Sequence, residues 1–294
     1  MSRVLVTGAG STLGSDLIDH LLPAHAILAT AHRRPVDTRG GRVEVLADGL
    51  ERCHEHAERI RTAEVVVHLA AVTHSDDAAR YEHVNHALTR RLLEVLRPGQ
   101  RLVHMSTVCA SPAGGAYGAS KWRAEEAVRE SGLDWVIVRP AEIHGSKSGE
   151  GIDALIGLAR RRGIVLDLRD AGPVRYAPVP AASVTRFLAA VVERFARPGA
   201  VYTLCADRPC TAEDIALRLR RAGRRIWRVP VPIGLLRAAV RWRLPVPFKP
   251  DQLDRLVVAK DFDNRSARQD YGFDPGDFLG ELEGRPPDGP DGPR

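Results

Sequence analysis

The stretch Arg3-Val-Leu-Val-Thr7-Gly8-Ala9-Gly10-Ser11-Thr12-Leu13-Gly14 is a short apolar run that breaks into glycines and then enters an amphipathic segment. Glycines at this point permit a tight turn. They also let backbone amides approach a pyrophosphate at the positive end of the helix that Leu13–Leu22 predicts. Gly8, Gly10, Ser11, Thr12, Leu13 and Gly14 are therefore candidate dinucleotide contacts. Outward from this turn, Ala26–Ala31, Arg42–Leu46, Glu64–Leu69, Arg101–Met105 and Trp135–Val138 read as further strands. Tyr81–Leu96 and Tyr117–Glu130 carry helical spacing between them. Buried strands alternating with helices predict an α/β fold, a Rossmann-type doubly wound parallel sheet with a smaller C-terminal substrate lobe.

After Pro140 the rhythm loosens. Ile152–Arg162 and Ser183–Phe195 read as helices, Ala200–Leu204 as a short strand, and Thr211 as the cap of a helix through Arg221. The prolines of Val229-Pro-Val-Pro232 and Leu244-Pro-Val-Pro247 argue against long regular elements there. The expected organisation is a nucleotide-binding domain over 1–145, a substrate lobe over 146–283 partly interleaved with the sheet, and a disordered tail over 284–294.

With 294 residues, 44% hydrophobic and 27% charged, the chain matches ordinary globular composition. No apolar run approaches the ~18 residues of a spanning helix. Met1–Thr7 enters a strand without a cleavable leader, so a soluble, cytoplasmic protein with no membrane partner is expected. The scattered Cys53, Cys109, Cys205 and Cys210 read as reduced thiols. The net charge of +6 comes with only four lysines, Lys121, Lys147, Lys249 and Lys260, and with arginines spread everywhere. Without a basic-aromatic platform, nucleic acid is not an expected partner. The nine arginines from Arg218 to Arg243 read either as a phosphate site or as a solvated helix face. No metal site is expected, because the histidines of Cys53-His54-Glu55-His56 diverge on a helix.

The end of the second strand selects the dinucleotide. Ala29-Thr-Ala-His-Arg33-Arg34 offers no carboxylate for the ribose hydroxyls and two guanidiniums for a 2′-phosphate. This favours NADP(H), with NAD(H) the alternative. Asp48, past the third strand, either accepts from the adenine amino group or caps a turn. Tyr117 and Lys121, at i and i+4, share one face of a helix. A free phenol titrates near ~10, and a neighbouring ammonium favours its ionised form. That makes Tyr117 the candidate base, with Ser106-Thr107 offering hydroxyls ten residues earlier. His68 reads as a satisfied buried imidazole. Thr73 and His74 follow the fourth strand and are candidates to face a substrate.

VLVTGAGSTLG (4–14), VVVHLAA (65–71), YEHVNHALTRRLLEVL (81–96), VHMSTV (103–108), YGASK (117–121) and RPAEIHG (139–145) occur in this order. The chain thereby resembles the extended short-chain dehydrogenase/reductase superfamily, specifically the NAD(P)-dependent epimerase/dehydratase family, over roughly Met1 to Gly280. The resemblance implies Tyr117 as catalytic base and Lys121 as its partner and a ligand of the nicotinamide ribose. It implies Thr107 orienting the reacting oxygen, Leu69, Ala70 and Ala71 lining the cofactor, and Pro140 near the nicotinamide. It also implies a homodimer through the helices of the fourth and fifth crossovers.

There are departures. Ser11 stands at the family's middle glycine. Val108-Cys109 replaces the Asp-Glu of 4,6-dehydratases, which disfavours elimination. Glu142 stands where many nucleotide-sugar members carry Asn, and a carboxylate there repels a diphosphate. The reading that results is NADPH-dependent reduction of a keto-sugar or related ketone, nucleotide-activated or not. The alternatives are a nucleotide-sugar epimerase with tightly held cofactor and a non-catalytic dinucleotide sensor.

Overall fold

The computed structural model describes residues 2–32, 34–145, 151–170, 172–242, 244, 253, 255 and 262–284. Seven strands form one parallel sheet: β1 (Arg3–Thr7), β2 (Ala26–Thr30), β3 (Val43–Leu46), β4 (Val65–His68), β5 (Arg101–Met105), β6 (Asp134–Pro140) and, much later, β11 (Ala200–Leu204). Their order across the sheet is β11-β6-β5-β4-β1-β2-β3. The direction of winding reverses between β1 and β4, so the crevice above their carboxyl ends is where a doubly wound sheet takes its ligand. Apolar side chains cover both faces. Val4, Val6, Val65, Val67 and Val103 belong to one layer of core, and Leu5, Val66, Leu102 and Ile137 to the other.

Helix α1 (Thr12–Leu21) begins at Ser11, whose Oγ accepts from the Gly14 amide, and it buries Leu17, Ile18 and Leu21 against the sheet. Pro23, which cannot continue a helix, lies just past its end. The helical spacing of Tyr81–Leu96 resolves into three pieces. These are α3 (Ala78–Tyr81), a π-helical turn (Glu82–Ala87) and α4 (Leu88–Val95). The wide turn in the middle corrects the single helix expected from sequence; it carries the buried Asn85, described below. Between these strands and helices lies the short α2 (Ala57–Ile60). Helix α5 (Gly115–Arg129) packs beside α4 and places Val128 in one core with Leu102 of β5 and Ile137 of β6.

The later chain adds β7 (Ile143–His144), α6 (Ile152–Arg162), β8 (Ile164–Arg169), β9 (Arg175–Tyr176), β10 (Val179–Pro180), α7 (Ala181–Glu193), β12 (Cys210–Thr211), α8 (Ala212–Arg221), β13 (Trp227–Pro232) and α9 (Ile233–Arg241). Helix α7 and strand β11 belong to the large sheet's own layers: Val184, Phe187, Leu188 and Tyr202 share a core with Val4 and Val65. The smaller lobe has a separate core around Ile156, Leu168, Ile215, Leu219 and Ile233. The Thr211 cap is a full capping box with Asp214.

One proline-rich stretch departs from expectation. Trp227–Pro232 is a regular strand, paired in parallel along its whole length with β8. It holds because β13 pairs on one side only, where missing proline donors are tolerated. The second such stretch, Pro245–Pro247, lies outside the described residues, as do Arg33 and the expected tail beyond Gly284. No helix among the described residues is long and apolar enough to cross a membrane. All four cysteines are buried thiols outside any disulfide. Burial pushes the Cys205 and Cys210 thiols up to about 11 and about 12.

Candidate active site

The glycine turn at the end of β1 is packed too tightly for side chains. Gly8 has φ +68°, and a Cβ there would lie 2.8 Å from the Ala70 amide nitrogen and 2.9 Å from the Leu69 carbonyl carbon. At Gly14 a Cβ would meet the Gly8 carbonyl oxygen at 2.5 Å, and at Gly10 the Arg34 carbonyl oxygen at 2.8 Å. The three glycines thus bring Leu69, Ala70 and Arg34 against one turn at the amino end of α1. Ser11 completes it: its Oγ donates to the Gly8 carbonyl at 2.8 Å while capping Gly14. Serine serves here because its side chain is the helix cap. Asp48 lies beyond β3 with φ +65° and pairs with Arg52 at 2.8 Å. Its neighbour Gly49 packs on Ala31 and His32 at the end of β2.

Beyond β5 the chain turns over itself. The Cys109 amide donates to Thr107 Oγ1 at 3.3 Å, and the Ala110 amide to the Thr107 carbonyl at 3.1 Å. Gly114 and Gly118 press on the Cys109 carbonyl oxygen, which a Cβ would approach to 2.4 and 2.3 Å. This contact sets the start of α5, and with it Tyr117, directly against the turn that carries Thr107. Pro140 closes the same corner by accepting from the Val108 amide at 3.2 Å. Tyr117 is buried, and the ring of Tyr81 meets it edge-on at 5.6 Å between centroids. The Tyr81 hydroxyl accepts from the Ser75 amide at 2.7 Å and donates to the Thr73 carbonyl at 3.4 Å, which fixes the Thr73–Ser75 loop beside Tyr117. Thr73 is exposed, and its Oγ1 lies 3.0 Å from His74 Nδ1.

Lys121 is fully enclosed, one helical turn past Tyr117, and its Nζ donates to the Met105 carbonyl at 2.6 Å. Burial pushes its ammonium down to about 8, and Glu125 on the next turn opposes that shift. Glu125 is also enclosed. Burial drives its carboxyl up, but hydrogen bonds from Arg139 and Arg129 outweigh this and hold it below its ordinary value. The sign of the Lys121 shift gives a stability prediction. Unfolded lysine keeps its proton to ~10.4, so unfolding takes up a proton between about pH 8 and that value. Lys121 therefore costs stability below pH 8, and the cost fades as pH rises through the window. In urea titrations, Lys121→Met is expected to be more stable than the parent at pH 7, with the advantage shrinking towards pH 10. A pH-independent difference would contradict the assignment.

A single hydrogen-bonded chain connects the glycine turn to the tyrosine. The Ala70 amide donates to Thr7 Oγ1 at 3.2 Å, and Thr7 Oγ1 lies 2.7 Å from His68 Nδ1. His68 Nε2 lies 2.9 Å from Thr89 Oγ1, whose proton goes to the Asn85 carbonyl. These neighbours fix the tautomer: Nε2 carries the hydrogen and Nδ1 accepts. Burial, with Lys121 nearby, holds His68 neutral by pushing it down to about 3. Asn85 then grips both backbone groups of Val72 and donates to Ser120 Oγ at 3.1 Å. Ser120 in turn donates to the Tyr117 carbonyl at 2.7 Å.

Glu142 is engaged within the chain, its carboxylate accepting from the Ala177 amide at 3.0 Å. Sequence reasoning missed Asn85, Tyr81, Ser120 and Arg255. Asn85 left the strongest trace, a carboxamide among the apolar positions of a helical stretch. Arg255, whose guanidinium carbon stands 4.5 Å over the Tyr117 ring, left none. The described residues fit a dinucleotide: Gly8, Gly10 and Gly14 keep side chains out of the turn at the amino end of α1, where a pyrophosphate can approach bare backbone.

Residues 2–226 match the family described as RmlD substrate binding domain. The chain belongs to this family, within the extended short-chain dehydrogenase/reductase superfamily. No curated protein sequence matches the chain. Among solved structures, it is similar to a mutant UDP-glucuronic acid 4-epimerase from Bacillus cereus in complex with UDP-4-deoxy-4-fluoro-glucuronic acid and NAD (TM-score 0.73, 19% identity, 96% of each chain covered). It is similar also to UDP-glucose 4-epimerase from Thermotoga maritima with UDP-glucose (0.72, 20%, 96% of each). A third is the Bordetella bronchiseptica enzyme WbmG with NAD and UDP (0.71, 18%, 96% of this chain and 92% of that one). These likenesses establish the shared fold over nearly the whole chain.

Proposed function

We propose that the protein is an NAD(P)-dependent epimerase that inverts a hydroxyl-bearing carbon of a nucleotide-activated sugar and keeps its cofactor through the cycle. The observation that carries this reading is the placement of Tyr117 and Lys121 on α5, locked to the Thr107 turn through Gly118 and joined to the glycine turn through Asn85 and His68. The relatives of known structure support the epimerase over the reductase, since two of those named are UDP-sugar 4-epimerases. The Glu142 carboxylate accepts from the Ala177 amide but keeps its charge, which still counts against a diphosphate placed beside it.

In this reading the cradle of Gly8, Gly10, Ser11, Thr12, Leu13 and Gly14 holds the pyrophosphate, with Leu69, Ala70, Ala71 and Pro140 lining the cofactor. A nicotinamide dinucleotide supplies hydride exchange when bound. Tyr117 Oη takes the proton from the substrate hydroxyl and later returns it. The Lys121 ammonium favours the ionised phenol, and the Thr107 hydroxyl orients the substrate oxygen. Thr73 and His74, beside Tyr117 through the Tyr81 contacts, are assigned in this reading to the far side of the sugar.

A second reading, NADPH-dependent reduction of a keto-sugar, is favoured by one observation: Arg34 packs on Gly10 and no carboxylate ends β2. If a 2′-phosphate is bound there, Arg34→Asp is expected to weaken NADPH binding at least ~10-fold while leaving NADH unchanged. Equal effects on both would remove the argument. The readings separate when UDP-glucose or UDP-glucuronic acid is incubated with the protein and followed by proton NMR and nicotinamide absorbance. Inversion at one carbon without net cofactor consumption supports the epimerase. Stoichiometric loss of NADPH supports the reductase, and tight cofactor binding without turnover supports a sensor.

A further inference from the structure

Residues 215–250 contain ten basic side chains and no aspartate or glutamate, leaving the rest of the chain with 33 basic against 37 acidic residues. The protein's whole positive balance is thus concentrated in one segment, whose described residues build the end of α8, β13 and α9; among them Arg218 and Arg221 pair with Glu283 and Arg228 with Glu213. The same segment holds the most exposed large apolar side chains among the described residues: Trp227 at 74%, Leu235 at 65%, Trp242 at 77% and Leu244 at 53%, with Val229 also exposed on β13. Helix α9 shows how they are arranged. Ile233 and Leu236 point into the small lobe's core, whereas Leu235, Ala238 and Trp242, at i, i+3 and i+7, form an outward apolar stripe. Arg237 and Arg241, at i and i+4, flank it. Arg225 and Arg241 are exposed and make no ion pair among the described residues.

We propose that the face formed by β13 and α9 docks on an anionic lipid surface. Tryptophan and leucine on an exposed stripe, bordered by arginines, suit the headgroup boundary, where rings and aliphatic groups enter and guanidiniums meet phosphate. Two other occupants fit less well. A second copy related by two-fold symmetry would set this acid-free segment against itself, and strand addition to β13 is blunted by Pro230 and Pro232. Nucleic acid would use the arginines but has no use for Leu235, Leu244 and Val229. The absence of a spanning segment, which led to the expectation of no membrane partner, does not bear on peripheral contact of this kind.

The test uses the full chain with vesicles of phosphatidylcholine alone and of phosphatidylcholine mixed with phosphatidylglycerol. Co-sedimentation and a blue shift of tryptophan emission are expected with the mixed vesicles only. Arginines near such a surface each contribute roughly five-fold, so Arg225→Gln with Arg241→Gln is expected to weaken binding by about 30-fold. Leu235→Ser with Trp242→Ser, both at exposed positions, is expected to abolish the blue shift with the melting temperature unchanged. At 1 M salt, where the Debye length falls to ~3 Å, the protein is released. Equal binding to neutral vesicles, or binding to neither kind, overturns the proposal. So does a solution dimer that the Leu235→Ser, Trp242→Ser variant dissociates, or duplex DNA binding by a chain that ignores the mixed vesicles. Because these readouts need no turnover, they stand or fall independently of the epimerase reading.

Discussion

Tyr117→Phe is expected to lower turnover by about 10²–10⁴-fold, the range over which a positioned acid–base group contributes. Dinucleotide affinity should stay within about two-fold of the parent. The substitution removes one oxygen and leaves the ring against Tyr81 and beneath Arg255. Packing is therefore retained, and the loss reports the proton transfer alone. Steady-state rates on a nucleotide sugar and equilibrium titration with NAD(H) and NADP(H) provide the comparison. A variant that turned over at the parent's rate would take the base away from Tyr117 and leave the fold as a nucleotide receptor.

Gly118→Ala should be nearly as damaging, although Tyr117, Lys121 and Thr107 all remain. A methyl group at 118 would stand 2.3 Å from the Cys109 carbonyl oxygen, a backbone atom that cannot rotate aside. Alanine favours a helix interior over glycine by up to ~1 kcal/mol, so any loss comes from this contact. Relief requires α5 to retreat by roughly an ångström, a displacement that costs about 100-fold in rate when it separates catalytic groups. Overpacking of this kind destabilises by about 1–3 kcal/mol. The expected result is a lower rate with a melting temperature several degrees below the parent's, against an unshifted one for Tyr117→Phe. Full activity in Gly118→Ala would mean that the Thr107 turn and α5 are not held together as described.

Much of this is legible in the amino-acid sequence. Strands with apolar residues on both faces announce themselves, and Arg3–Thr7, Arg101–Met105 and Ala200–Leu204 run in the structure from first to last residue as their composition suggests. Tyr117 and Lys121 were legible because a four-residue spacing on a helix is a local property. The connections between distant segments were not. Periodicity shows that residues 81–96 are helical, but the π-helical turn exists so that Asn85 can hold Val72 and Ser120, partners 13 and 35 residues away. The Trp227–Pro232 strand was hidden for a related reason: prolines argue against strands in general, and only the identity of its neighbour makes it an edge. The sequence points to His68 as a satisfied imidazole, but its partners, which bridge the glycine turn to α4, come together only in the tertiary fold.

The position of Ala200–Leu204 at the outer margin of the sheet has a consequence for how the polypeptide matures. The strand that covers β6 is separated from it by 59 residues, among them all of α6 and α7. Until that length has left the ribosome, β6 presents an open row of amides and carbonyls next to an apolar surface. Nascent chains of this topology close their largest core late, and a fragment ending near Gly145 would lack α7 and β11 while exposing β6 as a template for self-association.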